Sequence, residues 1–151
     1  AAGFCLVASA KKENMRLISV EMGTESVDTR AKATQSLLGY GFRFYETQKI
    51  YGANENITSV RIWKGDAEEL VLGIDADLYV TFPRGQKNQL RTEFNLSEKY
   101  IAPVGKDDVQ GSLKIILASE DIADAKLIAL QSVNEGSVIV RLKDYFRLLF
   151  E

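Results

Sequence analysis

The first residues run apolar, then polar, then alternating. FCLVASA (4–10) is a short apolar run, KKEN is a polar cluster with turn character, and MRLISVEMG (15–23) sets Met15 and Leu17 against Arg16 and Ile18 before a glycine stop. Two strands joined by a short polar turn predict an antiparallel hairpin. From Ser26 the period lengthens. Val27, Ala31, Thr34, Leu38, Gly41, Phe42 and Tyr45 follow at helical spacing and predict one apolar face of a helix over 26–47. Ser26 or Thr24 is placed to cap it. Gly39 and Gly41 each weaken a free helix by about 1 kcal/mol, which suits a helix lying tight on a sheet. Two strands are too few to cover such a helix, so this part of the chain looks incomplete.

Around Glu46–Asn56 the chain turns polar, and a domain boundary is expected there. Short strand patterns follow: ITSVRIW (57–63), ELVLGI (69–74), DLYVTFP (77–83), QLRTEFNL (89–96), SLKIIL (112–117) and a last one at LIALQSV (127–133). Turn signals KGD, PRG and APVGKDD separate them. Strands at this spacing predict a small all-β sandwich or partial barrel. The last residues change period again. Val138, Ile139, Leu142, Tyr145, Phe146, Leu149 and Phe150 fall on one side of a helical wheel, and Arg141, Lys143, Asp144, Arg147 and Glu151 on the other. Only Val140 and Leu148 are out of place. An amphipathic helix with aromatics on its apolar face either docks on its own domain or lies on a membrane surface.

Composition narrows the chemistry. The formal net charge of −2 argues against nucleic acid as a partner. Histidine is absent and cysteine occurs once, at Cys5. That removes Ser-His-Asp and Cys-His catalysis and leaves no ordinary zinc site. Cys5, in an apolar run, reads as a buried thiol. Ser9-Ala10-Lys11-Lys12 matches S-x-x-K and Ser132-Val133-Asn134 matches S-x-N. Neither has the required setting, because that serine should open a helix with the lysine one turn above it. The paired carboxylates Asp107–Asp108 and Glu68–Glu69 read as solvated turn charge. Trp63, Tyr79 and Tyr100 read as sheet packing before they read as a ligand platform. Arg30 is different, standing at the margin of an apolar stripe. A surface pairing with Asp28 or Glu25 and a bidentate clamp for a carboxylate are both open to it.

Taken in order, AAGFCLVASA, MRLISVEMG, ATQSLLGYGFRFYET, Trp63-Lys64-Gly65-Asp66, TFPRGQ and GSVIVRLKDYFRLLF resemble the C-terminal portion of low-molecular-mass penicillin-binding proteins, the D-alanyl-D-alanine carboxypeptidases of the type-5 class. SLLGYGFRFYET and FPRGQ carry most of the specificity. The resemblance implies a fold in three parts. Residues 1–45 are an α+β fragment of a transpeptidase/β-lactamase-like domain, two antiparallel strands plus a helix. Residues 46–134 form the β-rich domain, and 135–151 the amphipathic membrane-anchoring helix.

It also implies a parent enzyme of the serine type, which trims the terminal D-Ala from peptidoglycan stem peptides and is acylated by penicillins. In the family a serine attacks the penultimate D-Ala carbonyl, a lysine assists, and water releases the acyl-enzyme. The nucleophile and the Lys-Thr-Gly strand are expected upstream of Ala1, so the chain alone is expected to be inactive and to self-associate. The position matching Arg30 lines the family's active site and binds the substrate carboxylate. No cofactor is implied, and the location is the periplasmic face of the bacterial inner membrane. The alternative is a non-enzymatic β-sandwich module that positions partners at the membrane surface.

Overall fold

The computed structural model describes residues 3–148. Over these residues the fold is mostly β with two α-helices, and its contacts gather into two compact units. One comprises the chain through Gln48 with Tyr79–Asn88, the other Lys49–Leu78 with the chain from Gln89 onward.

In the first unit β1 (Phe4–Lys12) and β2 (Met15–Thr24) pair antiparallel, with Lys12 opposite Met15. Glu13 in the turn takes φ 54°, the left-handed conformation that tight hairpin turns favour. Helix α1 (Val27–Phe44) lies on one face of this hairpin. A Cβ at Gly41 would come within 2.5 Å of Leu17 Cδ1, so Gly41 is the point of close approach, while Gly39 faces open space. Ser26 is the cap, its hydroxyl accepting the Thr29 N–H at 3.1 Å. Thr24 instead donates its hydroxyl to the Phe4 carbonyl. The helix is shorter than its periodicity predicts, because Tyr45 is already extended and opens the next strand. Its covered face is the one the spacing marks, from Thr34 onward. Thr34 is buried and Leu38, Gly41 and Phe42 are half-buried, but Val27 and Ala31 are exposed, as are Leu37, Tyr40 and Phe44.

The polar stretch expected to mark a boundary is itself a strand. β3 (Tyr45–Tyr51) forms a two-stranded sheet with β6 (Leu78–Pro83). Polar residues on both faces hide it from an apolar-alternation test, yet the Thr47 and Thr81 hydroxyls meet at 2.7 Å across the pair. The Pro83-Arg84-Gly85 turn then folds back on α1. The Arg84 N–H donates to the Phe44 carbonyl and its guanidinium to the Phe42 carbonyl. The two stretches with the most specific family character therefore hold each other.

In the second unit β4 (Thr58–Trp63), β5 (Glu69–Gly73), β7 (Leu90–Leu96), β8 (Tyr100–Ile101), β9 (Val109–Leu117) and β10 (Glu120–Ala129) join into one six-stranded sheet, ordered β7-β9-β10-β5-β4-β8. All neighbours are antiparallel except β4 and β8. These six strands thus share one ladder, where the sequence predicts a small sandwich or partial barrel; the long β9–β10 hairpin bridges β7 to β5. The last strand begins at Glu120 and ends at Ala129, earlier than the expected 127–133. Beyond it Val133 makes only an isolated bridge to Val104. Leu70, Leu72, Leu113, Ile115, Leu127 and Ala129 are fully buried, each large side chain contributing about 1.5–3 kcal/mol of burial. Trp63 and Tyr100 belong to this core and form no ligand platform. The Tyr100 hydroxyl donates to the Gln110 carbonyl and accepts the Ser97 N–H.

Candidate functional site

Arg30 sits in the first turns of α1, half-buried. Its Nη1 donates to the Cys5 carbonyl at 2.8 Å, and its guanidinium carbon lies 5.9 Å from the Phe4 ring centroid. It therefore ties the helix to the start of β1, where the strand register shifts between Phe4 and Leu6. Among the described residues neither Asp28 nor Glu25 reaches it as an ion pair. Cys5 is exposed at this edge rather than buried. The S-x-x-K match lies wholly within β1, with the Ser9 hydroxyl accepting from Arg16, so it lacks a helical setting.

The second candidate is α2 (Val138–Leu148) and the turn beneath it. Val138 and Ile139 are 78% and 80% exposed, and Leu142 and Tyr145 also face outward. Phe146 lies within α2, but its side chain is outside what the structure describes, and Leu149 and Phe150 lie outside the described residues. Asp144, by contrast, is only 9% exposed. Its carboxylate accepts the backbone N–H of Lys64 at 2.7 Å.

Lys64 belongs to the Trp63-Lys64-Gly65-Asp66 turn and has φ 60°, a left-handed backbone. The same turn binds the chain leading into α2. Asp66 accepts from the Asn134 backbone at 2.9 Å and from its side-chain amide at 3.2 Å, while the Asp66 N–H donates to the Asn134 carbonyl. Gly65 bridges Glu135, and the Gly136 N–H donates to the Lys64 carbonyl. A Cβ on Gly136 would sit 2.4 Å from the Gly65 carbonyl oxygen, so only glycine fits there. Arg141 pairs with Glu135 at 2.7 Å, and the Lys64 ammonium lies 5.8 Å from the Tyr145 ring centroid.

The polar side of the wheel contained the clue to this contact. Val140, out of place there, stands one turn before Asp144, and at 37% exposure it is the most covered of the apolar residues described on α2. Residues four apart share one face of a helix, so Val140 and Asp144 lie together on the covered side of α2. Neither α2 nor any other described helix is long and apolar enough to cross a membrane. Among the described residues no group of three His, Cys, Asp or Glu side chains is gathered to hold a metal ion.

Residues 45–135 match the family model described as "Penicillin-binding protein 5, C-terminal domain". The chain is 36% identical over 150 residues to the D-alanyl-D-alanine carboxypeptidase DacA of Escherichia coli K12, covering 99% of this chain and 37% of that protein. It is equally similar, at 36%, to DacC of the same organism, covering 99% of this chain and 38% of that one. The crystal structure of penicillin binding protein 5 from Haemophilus influenzae superposes with a TM-score of 0.80 at 36% identity, covering 89% of this chain and 40% of that one. The chain thus spans little more than a third of the length of the curated relatives it matches.

Proposed function

Because the chain belongs to the penicillin-binding protein 5 C-terminal domain family, we propose that it is the C-terminal part of a serine-type D-alanyl-D-alanine carboxypeptidase that trims the terminal D-Ala from peptidoglycan stem peptides at the periplasmic face of the inner membrane. The observation that carries this reading is the 36% identity to such carboxypeptidases over nearly the whole chain, including the β1–β2–α1 segment before the family model begins. In this reading that segment closes a transpeptidase-like catalytic domain, and the second unit carries the helix that meets the membrane. The chain itself holds neither nucleophile nor base and is inactive alone.

Arg30 then acts as the carboxylate clamp. One of its donors holds the Cys5 carbonyl, which fixes the direction of the fork, and its remaining N–H groups receive the terminal carboxylate of the substrate. The outward apolar residues Val138, Ile139, Leu142 and Tyr145, with Phe146, Leu149 and Phe150 beside them in sequence, insert into the lipid interface.

The test is D-Ala release from a pentapeptide by the full-length protein. Arg30→Ala lowers kcat/KM by roughly ten- to a hundredfold, the size of one charge-assisted hydrogen bond. The isolated chain releases nothing. A full-length protein without release would hand the chain to the rival reading, a module that positions partners at the membrane.

A further inference from the structure

We propose that the Trp63-Lys64-Gly65-Asp66 turn is a socket that grips the terminal helix by its single inward acid, Asp144, and so fixes which face of the helix meets lipid. The inference rests on the membrane reading above for the identity of the outer partner, but the socket itself is a property of the second unit.

Three observations converge on it. The turn makes paired contacts with the entering chain at Asn134, Glu135 and Gly136, leaving no slack before the helix begins. Lys64 adopts a left-handed backbone, and in that conformation its N–H meets the Asp144 carboxylate at 2.7 Å. A backbone donor cannot be moved by a rotamer change, so this contact defines the roll of α2 about its own axis. Finally, Asp144 is the only acidic residue among Val138–Leu148, the other charged residues there being Arg141, Lys143 and Arg147.

Taking Asp144 inward changes what the helix shows outside. Its outward residues are Val138, Ile139, Leu142 and Tyr145 together with basic side chains, with Arg141 partly neutralised by Glu135. An apolar strip bordered by cations is complementary to an anionic phospholipid surface. Were the helix to roll and expose Asp144, a carboxylate would stand against the same lipid. Asp144 is thus a positioning residue, and Lys64 contributes through its main chain.

The experiment follows the Lys64 amide proton by hydrogen exchange in the chain in solution, without lipid. In Asp144→Ala this proton exchanges about tenfold or more faster than in wild type, while Asp144→Asn, which keeps an acceptor oxygen, stays within about threefold. Trp63 fluorescence and far-ultraviolet dichroism verify that each variant remains folded. In parallel, Leu142→Cys, placed in a Cys5→Ser background, is labelled with a maleimide before and after adding phosphatidylethanolamine–phosphatidylglycerol vesicles, which shield it.

An unprotected Lys64 amide, or protection that survives in Asp144→Ala, overturns the socket whatever the vesicles do. Asp144-dependent protection with no shielding of Leu142→Cys leaves the socket standing and overturns the lipid reading instead.

Discussion

Glycine 39, glycine 41 and glycine 136 look alike in the sequence but differ in what surrounds them. Gly39 faces open space on a helix, so Gly39→Ala should stabilise by about 0.5–1 kcal/mol, read as a higher urea midpoint at unchanged slope. At Gly41 the same gain meets the flexible tip of Leu17, and the net effect should be smaller. At Gly136 the obstacle is a backbone carbonyl, so Gly136→Ala should destabilise by about 1–3 kcal/mol. Tyr100→Phe removes a hydroxyl that serves two backbone groups and should cost about 1–3 kcal/mol in the same titration. The sequence marks these positions as glycine or tyrosine without saying which neighbour each one serves, since that depends on chain segments far apart.

Elements with a strong period were legible and those with mixed polarity were not. The hairpin, the first helix and the apolar strands β4, β5, β6, β7 and β9 lie close to where their patterns put them, because alternation or helical spacing follows directly from burial on one face. β3 escaped because YETQKIY carries polar residues on both faces, and β8 because two residues carry no period. The covered face of α1 runs through the stripe its spacing marks, though only from Thr34 onward. With apolar residues at Val27, Leu37, Leu38, Tyr40, Phe42 and Phe44, the wheel admits more than one stripe, and contact with Leu17 selects the one through Thr34 and Gly41. Ser26→Ala should cost about 1 kcal/mol, read in the urea titration, by orphaning the Thr29 N–H. For α2 the apolar face was plain from sequence, but its attachment was hidden in what looked like solvent-facing charge. Asp144 and Lys64 are eighty residues apart, and no local pattern connects them.

For the molecule as a whole, the hairpin face turned away from α1 exposes Val7, Ile18, Val20 and Met22, the last 77% exposed. Neighbouring exposed apolar residues on one face of a paired sheet form the kind of surface that another protein surface covers. In the full-length protein our account gives that role to the remainder of the catalytic domain. In the isolated chain it predicts association, to be read by sedimentation velocity at high micromolar concentration; a clean monomer there would contradict it. The catalytic assignment is the central claim, and labelling by a fluorescent penicillin tests it most directly, comparing the full-length protein with this chain alone. The account predicts a stable covalent label on the full-length protein and none on the chain. A full-length protein that stays unlabelled would contradict the carboxypeptidase reading and leave the family resemblance as one of architecture.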